Sequence, residues 1–301
     1  MGLALTSCGN DDGGDEAAAA SEISNVSVSG DPGTAPEVTF DGEVKADEIT
    51  SEVLTEGDGE EVESGDSVLS HIWIGNGFTK KKAYSTYDDK APQLLTVDEK
   101  QLSKVFIEGF EGHTIGSRVL VAAPADEAFG DQGNPQLGIG NKDTVVIVID
   151  LLSGVAEGPE GNSADAPAWA PTIVEKDGVP TGFDFKKTPA PSKKLRSATL
   201  IEGEGATVEK GQTIVVNYLG QTYGGKKPFD ESYSTGQPAS FPIGTGGVIK
   251  GWDQTLVGAT VGSRVIMAIP PDLGYGEQGN PQAGIKGTDT LYFVVDVLAA
   301  G

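Results

Sequence analysis

The sequence predicts an α+β protein of two similar domains, each an antiparallel β-sheet wrapped over one short α-helix. Three observations carry that expectation. The chain repeats itself at a constant offset, β-branched and aromatic runs dominate each copy, and helical spacing is confined to one short stretch.

The repeat comes first. Ser51 through Gly65 matches Ser197 through Gly211, an offset of 146 positions. Gly116-Ser117-Arg118 matches Gly262-Ser263-Arg264, and Gly130–Ile139 matches Gly276–Ile285, at the same offset. Two copies of so long a unit mean duplicated domains, because solenoid repeats are shorter and more numerous. Within the second copy, 213–220 is rich in β-branched and aromatic residues and reads as a strand. A second strand, 264–269, stops at Pro270-Pro271. A third, 290–298, places Leu291, Phe293, Val295 and Val297 on one face. Trp252 and Leu256, four apart, share one face of a short helix that Gly258 ends. Ahead of the first copy, 36–50 alternates Val38, Phe40 and Val44 like a short strand. Residues 154–192 hold six of the 17 prolines and read as an extended linker. Within it, Trp169, Ile173, Val174 and Phe183 are expected to pack on a neighbouring domain. The expected divisions are a tether over 1–35, domains over 36–153 and 193–301, and the linker between them.

Composition narrows the function. Lys and Arg number 21 against 45 Asp and Glu, a net charge of −24. Phosphate neutralisation needs the opposite balance, which argues against a nucleic-acid partner. The same balance argues against direct docking on an anionic membrane. The single cysteine, Cys8, makes no intrachain disulfide, and no Cys/His cluster is spaced for zinc. No metal or cofactor is expected.

Leu5-Thr6-Ser7-Cys8 resembles a bacterial lipobox, in which Cys8 becomes the lipid-attachment residue. An acidic tether follows, with nine carboxylates before the first basic residue, Lys45. Only seven residues precede Cys8 and none is basic, so either a signal peptide lies upstream of Met1 or the match is incidental in a soluble chain. Two locations follow: extracytoplasmic and lipid-anchored, with the membrane touched only through the anchor, or cytoplasmic with an incidental match.

Five segments of the second copy then appear in a telling order: Val216-Asn217-Tyr218-Leu219-Gly220, Lys227-Pro228-Phe229-Asp230-Glu231-Ser232, Val248-Ile249-Lys250-Gly251-Trp252, Ile269-Pro270-Pro271-Asp272-Leu273-Gly274-Tyr275-Gly276, and Thr290-Leu291-Tyr292-Phe293. Together they resemble FKBP-type peptidyl-prolyl cis–trans isomerases over roughly 195–300. The resemblance implies two FKBP-like domains and a non-covalent rotamase assisting the folding of exported proteins. Its partners would be proline-containing, partly folded polypeptides, with macrolide inhibitors as ligands of the same cavity. It implies that Trp252 floors a proline pocket walled by Tyr218, Phe229 and Phe293, with Val248 and Ile249 at the rim. Tyr275 would donate its hydroxyl to a substrate carbonyl, Asp230 would polarise the pocket, and Ile285 would belong to the flap. The sequence departs from the family pattern in three places. No Arg follows Asp230 to pair with it, Ala239 replaces an aromatic residue, and Asn280 stands at the flap histidine.

Matched to these positions, the first copy places Ile72 opposite Tyr218, Tyr84 opposite Phe229 and Ser85 opposite Asp230. Phe110 falls opposite Trp252 with a following four-residue deletion, Phe129 opposite Tyr275 and Ile147 opposite Phe293. A degenerate, weak or inactive site is expected there. The alternative reading of the whole chain is a peptide-binding holdase with incidental turnover. His71 and His113 have no ligand partners at useful spacing and read as structural or surface groups. Gly220–Lys226 lacks the Ser/Thr and the helix that a phosphate loop needs. Lys80-Lys81-Lys82 reads as a solvated loop, with an acidic partner as its alternative.

Overall fold

Long β-branched runs with an apolar residue at every second position form the central strands of two sheets. A computed structural model describes residues 23–301. Cys8 and the lipobox lie outside the described residues. In the first unit the sheet order is Thr50–Thr55, Arg118–Pro124, Thr144–Gly154, Ser67–Asn76 and Lys81–Ser85, with Gln93–Thr96 also paired to Ser67–Asn76. The second unit repeats this with Arg196–Glu202, Arg264–Ile269, Leu291–Ala300, Thr213–Thr222 and Asp230–Glu231, and Ala239–Pro242 pairs with Thr213–Thr222. Every pairing is antiparallel.

One face of each sheet packs on a short helix, Lys104–Glu108 or Lys250–Leu256. Trp252 and Leu256 both turn inward, as their spacing predicts. The helix lies so close to the second sheet that a Cβ on Gly251 would come 2.6 Å from Ile269 Cδ1. The first unit has Val105 and Ala123 at the equivalent places, so bulk has moved from the sheet to the helix while the gap stays filled. A further helix, Ala125–Phe129, packs at the edge of the first core.

The other face of each sheet is covered by a β-hairpin; the sequence reading placed the first strand of one hairpin in the tether and both strands of the other in the linker, and expected a short strand at Val38 and Phe40. Val26–Ser29 pairs with Glu37–Phe40 over Trp73, Leu120, Val146 and Val148. Thr172–Lys176 pairs with Val179–Asp184 over Leu219, Ile266, Tyr292 and Val294. Val26 and Thr172 again stand 146 apart, so the duplicated unit includes the hairpin. The stretch 154–192 is therefore largely built into the second unit. Asn162–Ser163 extends its sheet, and Trp169, Ile173 and Phe183 pack beneath the hairpin. Val174, expected among them, faces outward at 43% exposure. The tether likewise gives way to the first hairpin by Val26, and Val44 is buried beyond its end rather than within a strand. The two units meet through Leu69, Val215 and Ala299, and the Ala156 N–H donates to Leu298 O at 3.0 Å.

A buried ion pair clasps each hairpin. Arg118 donates from Nε to Asp150 Oδ1 at 2.7 Å and from Nη2 to Asp150 Oδ2 at 2.7 Å. The same guanidinium reaches the hairpin turn, donating to Gly30 O and Thr34 O, each at 2.6 Å. Asp150 also accepts from the Gly33 N–H and the Tyr87 hydroxyl. Arg264, Asp296 and Tyr233 repeat the arrangement, and there Arg264 reaches the hairpin through Glu175 at 2.9 Å. Removing one partner of a buried pair leaves the other charge uncompensated. Arg118→Ala is therefore expected to destabilise the first unit by about 3–5 kcal/mol in denaturant unfolding, and to raise hydrogen exchange across the 26–40 hairpin.

His71 is the one buried imidazole among the described residues; its Nδ1 lies 2.7 Å from Thr86 Oγ1, and it stacks on Tyr87 at 3.9 Å. Burial lowers its pKa below the ordinary 6.5, with Asp150 pulling less strongly the other way. The folded state thus favours the neutral ring. The stability it contributes is present above the unfolded value and is lost as pH falls through the lowered one. Hydrogen exchange in Ser67–Asn76, corrected for intrinsic rate, should rise between about pH 7 and pH 5. His71→Asn, the residue found at the equivalent position 217, should flatten that dependence.

Candidate functional site

The strand Thr213–Thr222 carries Tyr218 on its helix-facing side and Gly220 two residues on. Gly220 lies opposite Phe293 in the register, and a Cβ there would come 2.5 Å from Phe293 Cε1 and 2.7 Å from Phe229 Cζ. The missing side chain is what lets both rings occupy the inner face. Phe229 and Phe293 meet edge-on, 5.6 Å apart at 86°. Beneath them the helix supplies Trp252, 4% exposed. Its indole receives three rings edge-to-face, Tyr218, Phe241 and Phe293, each at 5.4 Å. Perpendicular packing sets a positive ring edge against a negative ring face in each pair and fixes the floor.

Above that floor is an open cleft of about 560 Å³. Its walls are Tyr218, Phe229, Phe241 and Phe293, and its rim is Gly246 through Lys250 on one side with Tyr275 on the other. The sequence therefore named correctly that Trp252, Tyr218, Phe229, Phe293, Val248, Ile249, Asp230 and Tyr275 come together. Ile285 does not join them. It is 3% exposed, its backbone pairs with Asn280 in both directions, and its side chain packs into the core.

Polar groups are few. The Tyr218 hydroxyl donates to Asp230 Oδ2 at 2.8 Å. Burial first, then this hydrogen bond, pushes the Tyr218 pKa well above its ordinary value, so the hydroxyl remains a donor. Asp230 thus has a neutral partner where the family pattern offers an Arg. Tyr275 is 39% exposed, and its hydroxyl makes no hydrogen bond among the described residues. The indole N–H of Trp252 is buried without an acceptor. Asp253 clips the rim to the helix, accepting from the Gly244 N–H at 2.6 Å and the Gly246 N–H at 2.9 Å.

Gly220, Asp253 and the Gly246-Gly247 rim were not among the residues assigned from sequence, whereas Phe241 stands out there as an aromatic residue kept beside the Ala239 departure. The signal for Gly220 lay in the repeat, because Ile74 stands at its place in the first unit.

The first unit shows why that matters, and its register corrects two equivalences. Tyr84 pairs with Ile74 as Asp230 pairs with Gly220, so Tyr84 stands opposite Asp230 and Ala83 opposite Phe229. The shared bonds of Thr86 to Ile72 and Ser232 to Tyr218 fix this. The helices begin at Lys104 and Lys250 without a gap, so Phe106 stands opposite Trp252, while Phe110, fully buried, matches Leu256. The proposed deletion does not exist. Ile74, Ala83 and Ile147 together fill the space that Gly220 leaves to two aromatic rings, and Ile74 is 5% exposed. Ile107 replaces Asp253, so the rim clip is lost as well. Gly220→Val in the second unit should displace Phe229 and Phe293 and reduce proline-peptide binding at least about tenfold, read by quenching of Trp252 fluorescence.

Comparison with known proteins agrees with this geometry. The family model for FKBP-type peptidyl-prolyl cis-trans isomerase matches residues 59–152 and 204–298. The chain is 38% identical over 109 residues to an FK506-binding protein of Streptomyces anulatus, covering 36% of this chain and 88% of that protein. It is 49% identical over 90 residues to the isomerase FKBP15-2 of Arabidopsis thaliana, covering 30% of this chain and 54% of that protein. Among solved structures it is similar to FkpA from Escherichia coli, at 37% identity and TM-score 0.33, covering 37% of this chain and 50% of that one. With the family model matched twice and two such sheets in tandem, the chain belongs to the FKBP-type peptidyl-prolyl cis-trans isomerase family.

Proposed function

We propose that the second unit catalyses rotation about Xaa–Pro bonds in exported, partly folded polypeptides, and that the first unit has little or no turnover. The observation that carries this reading is the open cleft over Trp252, aromatic on its walls and holding one carboxylate, Asp230. Amide resonance sets a rotation barrier of about 18–20 kcal/mol. The planar amide is charge-separated, and the twisted form loses that separation. An apolar aromatic pocket therefore favours the twisted form relative to the planar one. The prolyl ring rests on the indole of Trp252, and Tyr275 offers its free hydroxyl to a flanking carbonyl. Tyr218 holds Asp230 at the wall, beside the rotating bond. No bond is made or broken, so no nucleophile or acid–base pair is called on.

A protease-coupled assay on an Xaa–Pro peptide tests this. Trp252→Leu and Asp230→Ala should each lower kcat/KM at least about tenfold. Phe106→Leu in the first unit should leave the rate unchanged. Suppression of client aggregation with no rate gain would instead favour the holdase reading.

We place the protein outside the cytoplasm, held by lipid on Cys8, on the strength of the Leu5–Cys8 match and the acidic stretch after it. Metabolic labelling with a fatty acid should mark the wild-type chain and not Cys8→Ser; an unlabelled wild-type chain would leave the cytoplasmic reading.

A further inference from the structure

Six of the 21 Lys and Arg residues fall between Lys176 and Arg196, in a chain of net charge −24. Tertiary contacts gather part of this run and a distant lysine around one ring cluster. Phe185 lies 5.4 Å from Tyr223 and 5.2 Å from Tyr292. The Tyr223 hydroxyl donates to Thr188 O at 3.3 Å, beside Lys187. Gln221 ties Phe183 to the turn before Lys226, donating to Gly225 O at 2.7 Å. Arg196 pairs with Ala268 in the sheet register, and Ala268 pairs in turn with Tyr292. Lys186, Lys187, Arg196 and Lys226 are all exposed, and Tyr223 among them is 37% exposed. Only Lys186 is paired, with Asp184 at 3.4 Å; the other three form no ion pair among the described residues.

This patch lies on the hairpin side of the second sheet. Leu219, Tyr292 and Val294 point that way, while Tyr218, Phe293 and Val295 point to the cleft. It is therefore separate from the isomerase site.

We propose that this patch docks the second unit on an anionic lipid bilayer. Its cations come from separate segments arranged around an aromatic platform, which suits an extended charged surface better than a single threaded strand. Basic side chains that keep their charges at headgroup level around the partly exposed ring of Tyr223 match the chemistry of a bilayer interface. The net charge of −24, which as a whole-chain balance argues against such docking, is not the charge of this patch, where Asp184 offsets Lys186 alone. Carboxylates more than about 10 Å away are screened at about 0.1 M salt. The inference goes beyond the isomerase reading and does not depend on lipid at Cys8, because the patch binds without an acyl chain.

The test is co-sedimentation of the full, unacylated chain with vesicles of phosphatidylcholine alone or with about 30% phosphatidylglycerol. Binding should require the anionic lipid and weaken as salt rises. Lys187→Glu with Lys226→Glu should reduce it about tenfold or more and leave peptide turnover unchanged. Failure to bind anionic vesicles at low salt overturns the proposal. So does binding that survives this double variant but is lost in Lys80→Glu with Lys81→Glu, which would move the contact to the first unit. Capture of polyglutamate or DNA without vesicle binding also overturns it, assigning the patch to a different polyanion.

Discussion

A Cβ on Gly220 would sit 2.5 Å from the Phe293 ring and 2.7 Å from that of Phe229, so the aromatic arrangement over Trp252 exists only while that position has no side chain. The rest of the site follows from this space. Two rings stand edge-on to each other on the inner face, the indole below packs nearly at right angles to Phe293, and the cleft above stays open. In the first unit Ile74 takes the same space, and the neighbouring positions shrink to Ala83 and Ile147. One unit thus closes its core where the other opens a cleft. The backbone pairing is shared, and the difference is side-chain volume at a few facing positions.

The cleft requires a rigid frame, and both units build it alike. Each central strand is buried on both faces, by a helix within and a hairpin without. The hairpins are clasped by the Arg118–Asp150–Tyr87 and Arg264–Asp296–Tyr233 clusters. A buried ion pair contributes little net stability over an apolar replacement, but it fixes geometry because every lone pair and proton must find its partner. Here that requirement sets where the hairpin turn lies over the sheet. The two clasps reach the hairpin differently, through backbone carbonyls and the Gly33 N–H in the first unit and through Glu175 in the second.

Charge is distributed unevenly against the overall composition. The cleft contains Asp230 tied to Tyr218, with Lys250 at the rim, and otherwise presents rings and glycine backbone. Such a lining suits a reaction whose transition state is less charge-separated than its ground state. Four exposed cations, Lys186, Lys187, Arg196 and Lys226, lie instead on the hairpin side.

The amino-acid sequence alone determined the duplication, the strand alternation, the short helix and most of the cleft. Those features are local or periodic, and the five ordered segments of the second copy are contiguous. What it left undecided depends on contacts between distant residues. Val26–Ser29 and the second hairpin looked like tether and linker because acidic and proline composition dominate there, while their partners, Trp73 and Tyr292, lie far along the chain. Ile285 shares a loop with cleft residues, yet the pairing with Asn280 turns it inward. Phe106 and Tyr84 were displaced in the alignment because similar residue types lie nearby; the shared helix start at Lys104 and Lys250 fixed the first and the register of Ile74 with Tyr84 the second. Whether a ring at a given position lines an opening or fills a core was settled in three dimensions, because it depends on the volume left by a residue on the facing strand.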